Sequence, residues 1–340
     1  MSKRLIYYLP LLLVGLLGCS LPTGGMQTPP ETLPAVTETP FQPAEITPLP
    51  ELVIITPDPT STPTITPTSI ATTSPQLTLE QLKNGEYASI GVDGSITRTY
   101  RLENGSYRSS TDTSAQGYVS ISLGQAVGFG SLDNAEGEDA AVILAENYGG
   151  TGQFVQVGAI LNRTGLPYHA ASYPLGDRTV VNSLTIQNNE IIADAIVHGP
   201  NDGMCCPSVP AKIHLRLLNP NRLMLTRFTT KTPTGQERAI NIRAPLSGAE
   251  VSGSVTLTGD VTIAPFENNL TYTVYNSEYR EITRSYLMVD APDFGAPGTF
   301  AITIDLSSLG RSGDIYIEIT DLSAADGSVL ALSQVQLKVR

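Results

Sequence analysis

Cys205 and Cys206 are the residues of this chain best equipped for chemistry, being adjacent to each other with His198 and Asp202 a few positions upstream. Four chemistries suit such a set. In an oxidising compartment the two thiols close a vicinal disulfide, which is the favoured expectation. Against it, a trans peptide holds neighbouring Cα atoms about 3.8 Å apart, whereas ordinary disulfides span about 4.4–6.8 Å. The thiols can instead remain as two unpaired structural groups. Both sulfurs with His198 can hold a soft metal, but the remaining ligands have no candidate in the sequence. A catalytic thiolate needs a base within reach, and the spacing supplies none. His169, His198 and His214 have no metal-ligand spacing among themselves. Asp and Ser are plentiful without a spacing that pairs them, so a hydrolase ranks last. No catalytic residue, metal ligand or cofactor is assigned, and the chain is expected not to be an enzyme.

The third cysteine, Cys19, has a different chemistry, set by what precedes it. Lys3-Arg4 and the apolar run Leu5 to Leu17 have the charged start and short apolar middle of a secretory signal. Thirteen residues are too few to span a bilayer, which takes about 20. Leu16-Leu17-Gly18-Cys19 resembles the lipobox of bacterial lipoproteins. The resemblance implies that residues 1–19 are a lipoprotein signal and that Cys19 is the lipidation site and the new N-terminus. Residues 20–76 form a stalk. Leu21 to Gln76 contains thirteen of the 25 prolines, no Lys or Arg, and repeats such as Thr56-Pro57, Thr62-Pro63 and Thr66-Pro67. Such a stretch buries too little apolar surface to offset the entropy of ordering, and Thr-Pro repeats favour extended polyproline II. It is expected to be a disordered spacer.

The remainder of the chain is long enough for about two domains. Trp is absent, Phe is scarce, and Val, Ile, Thr and Tyr are frequent, which favours strands. The fold class expected is mainly β: an N-terminal antiparallel β-rich (α+β) domain over residues 77–232, then a β-sandwich over 240–340. With Cys19 taken by lipid and the other two cysteines adjacent, no disulfide framework can staple these domains. A net charge of -12 argues against nucleic acid, which demands a basic face.

In the first domain Thr78 with Gln81 three residues on predicts a capping box and a short helix that ends before Gly85. Tyr118 to Leu123 alternates. Ala140 to Ala145 and Phe154 to Ile160 are more continuously apolar, and Gly149-Gly150-Thr151-Gly152 between them reads as a hairpin turn, since no Lys and no helix follow to make a phosphate loop. Strands are also expected over Thr179 to Ile186, Ile191 to Val197, Lys212 to Leu218 and Leu223 to Phe228. Within Lys212 to Leu217 the polar and apolar residues alternate, which turns His214 away from the core. Leu132 to Asp139 has the look of an eroded calcium loop, but Ser131 and Ala135 stand where further carboxylates belong, so a polar turn is preferred. Leu175-Gly176-Asp177-Arg178, Leu184-Thr185-Ile186 and above all Gly199-Pro200-Asn201-Asp202-Gly203-Met204-Cys205-Cys206-Pro207-Ser208 resemble the LppP/LprE lipoproteins, with similarity reaching back to Asp139-Ala140-Ala141-Val142. That family of bacterial surface proteins implies an address and a fold unit, and no reaction.

In the second domain strands alternate apolar and polar residues, with turn residues about every ten positions, the pattern of two sheets packed face to face. Val255 and Leu257, Leu270 to Val274, Phe300 to Ile304 and Ile315 to Ile319 supply the inward sets. The order Pro245, Gly248, Val251, Gly259, Phe266-Glu267, Gly298, Phe300 and Asp326-Gly327 resembles the Gmad2 domain, a module of bacterial envelope and spore-germination proteins. The resemblance implies an immunoglobulin-like sandwich. The function expected is that of a non-catalytic, lipid-anchored protein on the extracytoplasmic face of the cell envelope, held to the membrane by its lipid. Its partner would be a cell-wall polymer or another envelope protein. The alternative is a redox- or metal-responsive surface protein that uses Cys205 and Cys206.

Overall fold

The computed structural model describes residues 75–91, 98–218, 221–307 and 313–340, so Cys19 and nearly all of the expected stalk lie outside the described residues. Helix α1 (Leu79–Lys83) opens on Thr78, whose hydroxyl accepts from the Gln81 N–H while the Gln81 side chain accepts from the Thr78 N–H, the capping box expected. Strands β1 (Glu86–Ser89) and β2 (Arg98–Arg101) pair antiparallel. Then β3 (Ser106–Arg108), β4 (Ser120–Gly130), β5 (Asp139–Asn147), β6 (Phe154–Arg163) and β7 (Leu166–Asp177) form an antiparallel meander. A second meander follows in β8 (Val180–Gln187), β9 (Glu190–Val197), β10 (Val209–Leu218) and β11 (Arg222–Lys231). One tight turn in each meander needs left-handed backbone at both central positions. Thr164-Gly165 supplies this between β6 and β7, and Asn188-Asn189 between β8 and β9.

The two meanders pack face to face, and this explains the continuous apolar runs. On β5 and β6, Ala141, Ile143, Val157 and Ala159 meet Ile191, Ala193, Ile213 and Leu215 of the second meander. Ala140, Val142, Leu144 and Ile160 point the other way, onto Leu82, Tyr87 and Leu102 around α1 and β1. Strands covered on both faces lose the polar alternation of a half-exposed strand. Strand β10 is covered on one face only, and its alternation is preserved.

The rest of the chain runs through β12 (Glu237–Arg238), β13 (Ile240–Ala244), β14 (Glu250–Val251), β15 (Ser254–Val261), β16 (Asn269–Tyr275), β17 (Glu281–Met288), β18 (Gly298–Asp305), β19 (Gly313–Leu322) and β20 (Val329–Val339). Sheet β13-β15-β18 packs on β17-β16-β19-β20 around Val255, Leu257, Leu270, Val274, Phe300, Ile304, Ile317 and Leu337. This is the mainly β, immunoglobulin-like sandwich expected. Gly259 sits inside β15 because a Cβ there would lie 2.3 Å from the Asn241 carbonyl oxygen and 2.3 Å from the Phe300 ring.

Strand β20 also pairs with β11, placing Arg227 opposite Ser333 and Phe228 opposite Leu332. A single sheet therefore continues from β17 through β16, β19, β20, β11, β10 and β9 to β8. Directly paired residues point to the same face. Phe228 packs on the core between the meanders, whereas Ala331 and Val335, of opposite parity to Leu332, belong to the sandwich core. The two cores thus lie on opposite faces of the shared sheet. Beside the junction, on the face that bears Phe228, stands the end of β7.

Candidate functional site

Residues 198–208, the connection from β9 to β10, contain the Cys-His-Asp constellation. Asp202 organises this loop: its Oδ2 accepts from the N–H groups of Gly199 and Ser208, both at 2.8 Å, and its Oδ1 accepts from the Ser208 hydroxyl at 2.7 Å. These bonds, the Gly199 N–H foremost, hold its carboxyl below the ordinary aspartate value. The Cys206 N–H closes a turn on the Gly203 carbonyl at 3.0 Å. Arg178 pins the loop from outside by donating to the Met204 carbonyl at 2.9 Å, to the Thr151 carbonyl, and to Asp177 as an ion pair. It joins two stretches of the LppP/LprE-like pattern, Leu175 to Arg178 and Gly199 to Ser208, to the tip of the β5–β6 hairpin.

Cys205 and Cys206 are exposed, and their sulfurs are bonded to each other with Cα atoms 3.7 Å apart. In that state neither offers a thiolate, so metal ligation and nucleophilic attack both require prior reduction. Mass spectrometry of the non-reduced chain is expected to find it two hydrogen atoms lighter than the reduced form, without dimer. Quantitative alkylation before any reduction, in protein isolated under oxidising conditions, is the contrary result.

His198 does not face open solvent. Its Nε2 is buried with no hydrogen-bond partner among the described residues, and other parts of the residue line an open cleft of about 420 Å³. The walls are largely apolar: Leu175 from β7, Val197 from β9, Ile213 from β10, Leu225 and Phe228 from β11, and Leu330 from β20. The cavity sits at the junction of the shared sheet, closed on one side by the start of the cysteine loop. Two hydroxyls on its wall are already engaged, Thr230 with the Leu330 carbonyl at 2.6 Å and Ser328 with Asp326 at 2.8 Å.

The other histidines are placed elsewhere. His214 lies on the face of β10 opposite the cavity, as the alternation predicts, with Nδ1 3.3 Å from Glu190 Oε2. Arg216 and Thr226 donate to Glu190 Oε1 at 2.6 and 3.0 Å. Burial alone would raise the Glu190 carboxyl, but the bonds from His214 and Thr226 and the Arg216 charge bring it below its ordinary value. His169 and Ser172 form a pair that the sequence reading missed, with Nε2 2.9 Å from the Ser172 hydroxyl. Residues three apart on a strand point to opposite faces, but a bulge between the partners of Ala159 and Ile160 adds one residue and turns both the same way. The pair is not a nucleophile and its base. His169 Nδ1 accepts the Ala88 N–H at 2.9 Å, so the proton resides on Nε2, which donates to Ser172 instead of accepting from it. Burial brings the His169 pKa down to about 4, which keeps the ring neutral.

The calcium-loop segment is a polar turn. Asp139 is buried and accepts from the Leu132 N–H at 2.7 Å and the Asn162 N–H at 2.8 Å, while Asp133 accepts from the Ala135 N–H and pairs with Arg163. Among the described residues no three His, Cys, Asp or Glu side chains cluster as metal ligands.

Residues 239–328 match the Gmad2 family, the immunoglobulin-like domain of bacterial spore germination. The matched stretch runs from just before β13 to the turn before β20. Comparison with curated proteins finds no match.

Proposed function

We propose that the protein is a non-catalytic lipoprotein of the bacterial cell envelope. In this reading Cys19 carries the lipid on the extracytoplasmic face, residues 20–76 act as a spacer, and the β-domains bind a wall polymer or another envelope protein. The secretory signal and lipobox-like Leu16-Leu17-Gly18-Cys19 support the anchor. The Gmad2 match and the LppP/LprE-like stretches support an envelope role linked to spore germination. The net charge of -12 speaks against nucleic acid as the partner. The non-catalytic reading rests above all on Asp202. It is the only carboxylate of the constellation, and its oxygens are occupied by Gly199 and Ser208, so it holds the loop and does not serve as a base.

A second reading, a redox-responsive surface protein, has one observation in its favour: the bonded cysteines are exposed at a loop tip. The two readings part on a chain carrying Cys205→Ser and Cys206→Ser. Under the binding reading it folds and is retained on isolated cell envelopes like the parent. Loss of retention with an intact fold, reproduced by reducing the parent, would transfer the function to the cysteine pair.

A further inference from the structure

We infer that β17 is a docking edge for a second copy of this chain: two β17 strands pair antiparallel about a two-fold axis at Tyr286, joining two copies through one continuous sheet. The inference goes beyond envelope binding and does not depend on what the body binds. It begins with backbone groups. Along an antiparallel strand, alternate residues turn their N–H and C=O toward the paired neighbour, and those between turn them away. On β17 the Val289 N–H donates to the Asn268 carbonyl, and the register continues through Leu287 opposite Leu270 and Ser285 opposite Tyr272. Arg284, Tyr286 and Met288 therefore aim their backbone groups at the open edge. Asp290 fixes the same phase, because its outward N–H and C=O are exchanged with Thr299 of β18. Among the described residues β17 ends its sheet, with no strand paired beyond it.

This edge lacks the devices that keep strands apart. Lys, Pro and Gly are absent from Glu281 to Met288, and the bulge of the strand lies at its start, before Thr283. Its side chains add apolar area: Tyr286 is 70 % and Met288 63 % exposed, on the face opposite Leu287, which enters the sandwich core. The strand is also self-complementary. A two-fold axis at Tyr286 sets Arg284 opposite Met288 of the second copy, Tyr286 opposite Tyr286, and Met288 opposite Arg284. Each of these pairs joins two outward-facing residues and exchanges two N–H···O=C bonds. The Tyr286 side chains meet across the axis, and the Arg284 stem lies along Met288. Arg284 is paired with Glu281 at 2.6 Å and Arg280 with Glu278 at 3.1 Å, which leaves the edge locally neutral despite the net charge of -12. An axis at Arg284 would oppose two arginines, and one at Ser285 would run Met288 into the bulge at Ile282. The axis at Tyr286 avoids both. A two-fold pairing closes on itself, so assembly stops at two copies.

The test uses the full chain with Cys19→Ala, which omits the lipid, in sedimentation equilibrium over ~1–200 μM, a range that resolves micromolar affinities. The mean mass is expected to rise from one chain and to level at two. Tyr286→Lys, at an exposed position, sets like charges opposite each other across the axis and removes the aromatic pair, so association should weaken about tenfold with the fold kept. The position of the axis is read by single substitutions to cysteine, in a chain that also carries Cys205→Ser and Cys206→Ser to prevent exchange. Across a hydrogen-bonded pair the Cα atoms lie about 5.5 Å apart, inside the roughly 4.4–6.8 Å of a disulfide. Tyr286→Cys should therefore give a covalent dimer on mild oxidation. Arg284→Cys should not, since the offset along the second strand puts the two positions more than ~13 Å apart. A mass of one chain throughout, or one that climbs beyond two, overturns the pairing. Association undiminished in Tyr286→Lys places the contact elsewhere, and a covalent dimer from Arg284→Cys but not from Tyr286→Cys overturns the axis.

Discussion

A chain carrying Cys19→Ala is expected to lose all acyl labelling and to move from the membrane fraction to the soluble one. The apolar run before it, Leu5 to Leu17, is too short to hold the chain in a bilayer by itself. Attachment in this account is carried by acyl chains, each buried CH₂ contributing about 0.8 kcal/mol, and one such chain alone binds only marginally. A diacylglyceryl thioether on Cys19 therefore separates a permanently held protein from a released one. Unchanged labelling in Cys19→Ala, or full retention in the membrane fraction, would refute the lipidation site.

The largest effect on stability is expected at Arg238. Asp321 on β19 has only 3 % of its side chain exposed, and Arg238 on β12 donates to its Oδ2 at 2.7 Å, while Oδ1 is buried with no partner among the described residues. Burial pushes the Asp321 carboxyl above its ordinary value, and Arg238 restrains that rise. Breaking a buried pair from one side leaves an uncompensated charge, so Arg238→Leu should cost about 3–5 kcal/mol near neutral pH. The sign of the pH dependence follows from the raised folded value. Without Arg238 the folded carboxyl is pushed higher still, whereas the unfolded aspartate stays near about 3.9. The native state then binds more protons than the unfolded chain in that window, and stability is lost as pH rises through it. The Tm gap between Arg238→Leu and the parent should be small below the unfolded aspartate value and widen toward neutrality. A gap that is constant with pH would contradict the assignment of the cost to Asp321.

What the sequence disclosed and what it hid divide along the reach of the interactions. Thr78 and Gln81 announce α1 because a capping box is closed within four residues. The alternation in β10 and the doubly apolar runs of β5 and β6 reflect whether one face or both are covered, and side-chain periodicity records that directly. The sandwich was legible from Val255, Leu257, Phe300 and Ile317 for the same reason. The shared sheet was not, because the pairing of β11 with β20 joins residues about a hundred positions apart through backbone groups that every strand possesses. The cysteine loop stood out by composition, yet its anchors did not: Arg178 reaches it from the end of β7, and nothing local in Leu175 to Arg178 indicates that contact. The cavity was hidden altogether, since five separate strands supply its walls. Its one local trace is His198, which the sequence placed beside the cysteines and the fold turns onto an apolar wall. The His169–Ser172 pair depended on a bulge that one strand's sequence does not reveal.

In the proposed function the body binds an envelope component without transforming it. Its most direct test is an equilibrium retention isotherm of the full chain with Cys19→Ala on isolated cell envelopes, with the mass distribution of the wall polymer measured before and after. Saturable retention is expected in the absence of any lipid anchor, with the polymer unchanged in mass. Retention that never saturates or does not occur, or progressive release of polymer fragments during incubation, would contradict it.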